Sequence, residues 1–194
     1  MSAPLRNERR TDPMAANADE DLAAVRAAQK DPTAFGVLYR RYLDRVYSYA
    51  FYQLGDHHDA EDATARTFLA ALRAIGTFRD EGASFRAWLF RIARNTVANA
   101  HRSRARRRTE PIEAIADPPA PDADPAGLSL RADDARRVRA ALAQLPDERR
   151  QVVLLRFADD LSAREIGQVL DRSEGAVRVL LHRALRELAE RLPG

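Results

Sequence analysis

The chain has 194 residues, 45% of them hydrophobic, and a net charge of +3. It contains no cysteine, which excludes a disulfide framework, a thiolate nucleophile and a cysteine-ligated zinc site. No apolar run is long enough for a membrane span or a signal peptide, so we expect a cytoplasmic protein without membrane insertion. Lys30 is the only lysine, and the many arginines suit bidentate contacts with phosphate and guanine.

The N-terminal part predicts a tail followed by two helices. Residues 1–18 are polar and proline-containing without periodicity, which is typical of a disordered tail. A short helix is expected from Asp19 to Lys30, broken by Asp31-Pro32. The next helix has the strongest apolar periodicity in the chain and ends at Gly55. Its aromatic stripe is more typical of a core than of a ligand site: Phe35, Leu38, Tyr39, Tyr42, Leu43, Val46, Tyr47, Ala50 and Phe51.

A third helix is predicted from Asp56 to Ile75. Its first turns are acidic, which complements the helix dipole, and its later face is apolar. The adjacent histidines His57 and His58 point about 100° apart on a helix, and no third ligand is evident. We therefore expect no metal site and no cofactor.

A glycine-containing loop, residues 76–84, precedes a long basic helix capped by Ser84. The loop carries a phenylalanine, Phe78, that we expect to be exposed. Between Gly82 and Thr109 there is no acid, whereas eight arginines occur, with aromatic residues among the first of them: Phe85, Trp88 and Phe90. Basic side chains follow a phosphate backbone and aromatic rings stack on unpaired bases. The alternative is that the rings, Trp88 at least in part, belong to the core and the arginines to a solvated helix end.

Residues 109–132 divide the chain into two helical domains. They hold half of the ten prolines, and five acids against one arginine, which indicates a flexible linker. We predict an all-α fold with domains at residues 19–108 and 133–192. The second domain should open with a helix through Val138 and Leu145, interrupted by Pro146, and continue with a helix carrying Val152, Val153, Leu155 and Phe157.

Residues 162–188 have the pattern of a helix-turn-helix. Ser162 and Glu165 form a capping-box sequence, and Asp171-Arg172 predicts a turn. Ser173 then caps a second helix with one apolar stripe: Val177, Leu181, Ala184, Leu185 and Leu188. Basic residues lie opposite that stripe, as in a helix that enters the DNA major groove. An ordinary helical hairpin with solvated arginines is the alternative.

Three segments together carry a family resemblance: DHHDAEDATARTFLAAL, SFRAWLFRIARN and LPDERRQVVLLRFADDLSAREIGQVLDRSEGAVRVLLHRAL. In this order and spacing they resemble bacterial RNA polymerase sigma factors of the sigma-70 family, in the extracytoplasmic-function (ECF) group. The resemblance covers residues 19–108 (region 2) and 133–190 (region 4). It implies a non-enzymatic protein that binds core RNA polymerase, directs it to promoter DNA and assists melting.

The resemblance also implies roles for individual residues. Polymerase contacts are expected on the β′ clamp helices and the β flap, with the clamp bound through Asp59, Glu61, Asp62 and Phe68. Single-stranded −10 DNA would be contacted by Phe78, Phe85, Arg86, Trp88, Arg91, Arg94, Asn95 and Arg102. The loop from Phe78 to Phe85 would capture a flipped base. The −35 duplex would be read by Arg172, Ser173, Arg178, His182 and Arg183. An anti-sigma factor covering both domains is a further possible partner.

Two departures and two other function classes bear on this hypothesis. Ala65-Arg66 stands where many relatives have Gln-Glu, and Val179-Leu180 where many have Ser-Arg. A conventional helix-turn-helix regulator, usually dimeric on a palindrome, would leave the arginine-rich first domain unexplained. An enzyme acting on nucleic acid would need paired carboxylates with a metal, a phosphate-binding glycine loop or a nucleophile–base pair, and none of these patterns occurs.

Overall fold

The computed structural model describes residues 13–109, 129–158 and 160–192. Within these ranges the chain forms eight α-helices and two short 3₁₀ helices, without a strand, so the all-α expectation is confirmed. In the same ranges no helix combines the length and apolarity needed to cross a membrane. Residues 1–12 and 110–128, most of the predicted tail and linker, lie outside the described residues.

The first domain contains four α-helices. They are α1 (Pro13–Lys30), α2 (Gly36–Leu54), α3 (His57–Ala74) and α4 (Phe85–Thr109), with 3₁₀ helices at Pro32–Phe35 and Ile75–Thr77. Helix α1 begins earlier than the predicted start at Asp19. The other starts and ends lie within a residue or two of the predicted breaks, because local capping groups define them.

Polar caps and one glycine set the helix boundaries of this domain. Asp31 accepts a hydrogen bond from the Thr33 amide at 2.9 Å and so caps the first 3₁₀ helix. Gly55, with φ of 74°, ends α2, a conformation that costs other residues a steric clash. Asp56 then caps α3 by accepting from the Asp59 amide at 2.8 Å.

The aromatic stripe of α2 forms the centre of the first domain, as predicted. Tyr49 is 1% exposed and packs edge-on against Phe90 of α4 at a ring separation of 5.7 Å. Tyr42 makes a similar contact with Phe85 at 5.7 Å. Each fully buried large apolar side chain contributes on the order of 1.5–3 kcal/mol, so these rings hold α2 and α4 in a fixed register.

The second domain contains α5 (Ser129–Ala143), α6 (Asp147–Ala158), α7 (Ala163–Leu170) and α8 (Glu174–Arg191). Helices α6 and α7 pack on α8. Fully buried side chains from all three helices, and from Leu161 in the connection between α6 and α7, form the shared core: Leu155, Leu161, Ile166, Val169, Val177 and Ala184. Helix α5 begins at Ser129, inside the segment predicted as linker. Phe157, on the apolar face predicted for α6, is 68% exposed.

The two domains pack against each other. Helix α4 lies against α7, and α2 lies against α6. The predicted single-strand surface of the first domain therefore contacts the first helix of the predicted helix-turn-helix.

Candidate nucleic-acid interface

The start of α4 and the loop before it are held by hydrogen bonds from two directions. The Ala87 amide donates to Ser84 Oγ at 3.3 Å, which confirms Ser84 as the cap. From α1, the Gln29 side-chain amide donates to the carbonyl oxygens of Ile75 and Phe78, both at 3.0 Å. The loop is thereby folded back onto the body of the domain.

The loop phenylalanine points inward. Phe78 is 5% exposed, so the expectation of an exposed ring is wrong. Its ring packs edge-on against Phe85 at 5.9 Å and against Trp88 at 5.4 Å. Phe85 is buried and Trp88 is half-buried. These rings fill the space between α4 and the loop, whose backbone is held against the domain by the Gln29 hydrogen bonds.

Several predicted −10 residues of α4 bind side chains of the second domain. Arg91 lies 3.3 Å from Asp171 in an ion pair whose members are both more than half exposed. Arg94 donates to Gln151 Oε1 at 3.3 Å. The remaining members of this set lie farther along the helix and are exposed: Asn95 and Arg102.

A largely buried contact between the domains centres on Glu165 of α7. Its Oε1 accepts from Ser84 Oγ at 2.6 Å and from Arg86 Nε at 2.7 Å, and its Oε2 accepts from Arg86 Nη2 at 2.9 Å. The side chains of Arg86 and Glu165 are only 14% and 12% exposed. The same carboxylate accepts from the Ser162 amide at 2.9 Å, completing the predicted capping box.

The environment keeps Glu165 ionised. Burial alone raises the pKa of its carboxyl, but hydrogen bonds from Arg86, Ser84 and Ser162 outweigh that effect and hold the pKa below its ordinary value. A carboxyl with a lowered folded-state pKa stabilises the fold above its unfolded pKa of about 4.3. That contribution is lost only as the pH falls through the lower folded-state value.

The turn of the helix-turn-helix is closed by backbone contacts. Asp171 adopts the left-handed conformation with φ of 55°, and the Arg172 amide donates to the Gly167 carbonyl at 3.0 Å. Ser173 caps α8 by accepting from the Ala176 amide at 3.2 Å. The predicted turn and both predicted caps are confirmed.

Helix α8 exposes a basic face. Val177 and Ala184 are fully buried, whereas Arg178 is 71% exposed and His182 and Arg183 are also exposed. Of the other predicted −35 residues, Arg172 forms an ion pair with Glu148 at 2.6 Å and Ser173 is engaged as the cap.

Val179 adds an apolar group to this face. It is 49% exposed, beside Arg178 near the start of α8. An apolar side chain at that position can contact a thymine methyl group. From the sequence alone, Val179 is visible only as a departure from the usual family pattern.

Comparisons with known proteins agree with this two-part arrangement. The family model described as Sigma-70 region 2 matches residues 38–107, and that described as Sigma-70, region 4 matches residues 135–188. The ECF RNA polymerase sigma factor BldN of Streptomyces coelicolor is 38% identical over 181 residues, covering 91% of this chain and 69% of BldN. The chain belongs to the ECF sigma factors.

Two further similarities concern another relative and a solved structure. The ECF sigma factor SigD of Mycobacterium tuberculosis is 36% identical over 133 residues, which is 69% of this chain but only 63% of SigD. The chain thus spans less than two thirds of SigD. The structure of CnrH in complex with the cytosolic domain of CnrY is similar with a TM-score of 0.66 and 27% identity, covering 88% of this chain and 95% of CnrH.

In region 2 of this ECF sigma factor, the expected polymerase-binding residues of α3 divide into exposed and buried ones. Glu61 is exposed, Asp62 pairs with Arg66 at 2.9 Å, and Asp59 lies 3.6 Å from Arg104. Phe68 is only 5% exposed and packs on neighbouring rings at 4.8 and 6.4 Å, those of Tyr39 and Phe35. Phe68 therefore supports α3 from inside.

The residue after Phe68 is the one that faces outward. Leu69 is 52% exposed. Helical spacing aligns it with other exposed residues on α3, which we call the α3 stripe: Asp62, Ala65, Arg66 and Leu69. The stripe contains Ala65-Arg66, the pair that departs from the family pattern.

The histidines at the start of α3 have protein partners or solvent. His57 Nδ1 lies 2.5 Å from the Tyr47 hydroxyl, and its ring stacks on Phe51 at 4.3 Å. His58 is exposed. Among the described residues, no group of three or more potential ligands is arranged to hold a metal ion.

Proposed function

We propose that this ECF sigma factor binds core RNA polymerase, directs it to promoters with −10 and −35 elements and assists melting of the DNA. The observation that carries the proposal is the pairing of two surfaces in one chain. Region 2 has the arginine-rich helix α4 next to the loop of residues 76–84. Region 4 has a capped helix-turn-helix with an exposed basic face. As a specificity subunit it would supply no catalytic group or cofactor, and it would act at the nucleoid.

Binding of both promoter elements requires the domains to separate. The two elements lie about 25 base pairs apart, or roughly 85 Å along a duplex with 3.4 Å per base pair. In the structure α4 and α7 are in contact. Residues 110–128 join the domains, and an extended chain reaches roughly 3.5 Å per residue, so a separation of tens of ångströms is sterically allowed.

The α3 stripe is the surface we propose for docking on the β′ clamp helices. It combines an exposed leucine with charged neighbours, Asp62 and Arg66, and Phe68 underneath keeps the helix in place. Protein interfaces commonly have an apolar centre surrounded by a polar rim, and Leu69 with its charged neighbours has this arrangement. Asp59 and Glu61 would lie at its edge.

Run-off transcription with purified core polymerase tests the proposal. On fragments of the host genome, we expect new start sites that appear only when the protein is added. Leu69→Asp should reduce this stimulation by at least about tenfold, because a charge at the interface centre loses its hydration. The matched control is Ala23→Asp, at an exposed position of α1, which should transcribe like the wild type.

A null result in that assay has a defined meaning. If the protein gives no stimulation while another sigma factor activates the same core, the sigma role is wrong. A dimer in light scattering would then favour the conventional helix-turn-helix regulator.

A protein inhibitor is a further proposed partner. The structure has an open apolar groove of about 580 Å³ where the two domains meet, lined in part by Tyr52, Leu142, Phe157 and Leu185. CnrH, which is similar in fold and sequence, was solved with the cytosolic domain of CnrY. We therefore propose that an amphipathic helix of an anti-sigma factor occupies this groove.

A photo-crosslinking amino acid in place of Phe157 tests this partner. In the native host we expect one crosslinked protein, joined through an amphipathic helix. Recovery of polymerase subunits alone would contradict the proposal.

A further inference from the structure

The cap and the first turn of α4 bind a negatively charged group in the structure. Ser84 Oγ and the Arg86 guanidinium converge on one carboxylate, with hydrogen bonds of 2.6, 2.7 and 2.9 Å. Two parallel N–H groups of an arginine bind a phosphate in the same way as a carboxylate. Helix α4 also begins here, and the positive end of its dipole favours a negative charge.

The occupant of this site comes from the other domain. Glu165 lies on α7 of region 4, whereas Ser84 and Arg86 border the loop predicted to hold the melted −10 strand. From these contacts we propose that Ser84 and Arg86 bind a backbone phosphate of the −10 strand, and that Glu165 takes the place of this phosphate in the free protein. The inference rests on the proposed function, because it assigns a ligand to the same surface.

Two neighbouring contacts also place region 4 side chains on the surface that we propose for DNA. Asp171, at the turn of the helix-turn-helix, pairs with Arg91 at 3.3 Å. Gln168 of α7 donates to the Gly82 carbonyl in the loop. Region 4 thus presents two carboxylates, those of Glu165 and Asp171, to residues 82–109 of region 2, which contain eight arginines and no acid. Each carboxylate carries the negative charge that a phosphate of a nucleic-acid strand would bring to the same arginine.

Separation of the domains affects Glu165 differently from Arg86 and Ser84. Glu165 keeps hydrogen bonds to the Ser162 amide at 2.9 Å and the Ser162 hydroxyl at 2.8 Å, since these lie within region 4. Arg86 and Ser84 lose this carboxylate, and a phosphate can then take its place. Because a ligand that binds only the open form shifts the equilibrium toward it, DNA binding and domain closure oppose each other.

Glu165→Gln separates this role from helix capping. Glutamine also serves at the third position of a capping box, so α7 is retained while the charge facing Arg86 is removed. Glu190→Gln is the matched control. It makes the same change at an exposed carboxylate of region 4 whose ion-pair partner, Arg186 at 3.4 Å, lies on the same helix.

Affinity for DNA is the first measurement. The full chain, without polymerase, is titrated with a short single-stranded oligodeoxynucleotide of mixed sequence, followed by fluorescence anisotropy. We expect Glu165→Gln to bind about tenfold more tightly than the wild type, within the 5–150-fold range of typical coupling, and Glu190→Gln to change by no more than about threefold. Adding Arg86→Gln to Glu165→Gln should remove the gain. Equal affinities of Glu165→Gln and wild type, or a gain that persists without Arg86, would overturn the inference.

The second measurement follows the distance between the domains, both in the otherwise wild-type chain and in Glu165→Gln. The chain has no native cysteine, so dyes can be attached at Arg66→Cys in α3 and Arg186→Cys in α8, both exposed positions. Energy transfer should fall when the oligonucleotide is added to the otherwise wild-type chain, and should already be low with Glu165→Gln. If energy transfer stays the same after the oligonucleotide is added, or in Glu165→Gln, then Glu165 and DNA do not compete for Arg86 and Ser84. Neither assay contains polymerase, so its outcome is separate from that of run-off transcription.

Discussion

Gly167→Ala is expected to destabilise region 4 by about 2–4 kcal/mol, a large effect for the addition of one methyl group. A Cβ at this position would lie 2.6 Å from the Arg172 carbonyl oxygen. That oxygen belongs to the backbone and cannot rotate away. The same turn is closed by a hydrogen bond that the Arg172 amide donates to the Gly167 carbonyl oxygen at 3.0 Å. Relief of the clash therefore requires α7 and α8 to move apart.

Gly175→Ala is the matched control for this effect. Gly175 lies in the first turn of α8, and no atom would lie within 4 Å of its Cβ. Alanine there should stabilise the helix by up to about 1 kcal/mol, since glycine loses more backbone entropy on folding. Urea unfolding followed by circular dichroism should give midpoints on opposite sides of the wild type. A Gly167→Ala midpoint equal to that of the wild type would show that the turn is not tightly closed.

Local chemistry explains why the helices of this protein are predictable from its sequence. The capping residues contact backbone groups only a few residues away: Ser162, Ser173, Asp56 and Gly55. Their effect on the helix ends can therefore be predicted from the local sequence. Gly167 shows where this ends. Its role depends on the close approach of the Arg172 carbonyl in the turn that follows, which helical periodicity does not reveal.

Long-range contacts explain the expectations that failed or changed. Phe78 faces inward because Gln29, 49 residues earlier in the chain, binds its carbonyl oxygen. Phe68 and Leu69 are both apolar and adjacent on α3, and only the positions of Phe35 and Tyr39 decide that Phe68 is the buried one. In each case the deciding partner lies on another helix.

The contact between the domains could not have been predicted for the same reason. Glu165 reads in sequence as a capping residue, and its capping bond to Ser162 is present. Its second set of bonds joins residues 79 and 81 positions away, Arg86 and Ser84. A local motif therefore identified the residue but only half of its bonding.

Arg183→Ala is expected to reduce transcription from a promoter with an intact −35 element by about 10- to 100-fold in the reconstituted holoenzyme. An arginine that donates two hydrogen bonds to a guanine contributes on the order of 1–3 kcal/mol of discrimination against other bases. Arg183 lies on the exposed face of α8, opposite the buried Val177 and Ala184. The substitution removes no core contact, so the loss should appear in DNA recognition and not in the urea midpoint.

Arg186→Ala distinguishes base reading from general attraction to DNA. Arg186 is 77% exposed, nearly a turn later on α8, and pairs with Glu190 at 3.4 Å. The early residues of a recognition helix contact base edges, whereas a later arginine reaches at most a phosphate. Arg186→Ala should therefore weaken all templates by a similar, small factor that shrinks as salt rises. On templates with single −35 substitutions, Arg183→Ala should lose the preference at one base pair, and retention of every preference would place Arg183 on the phosphate backbone instead.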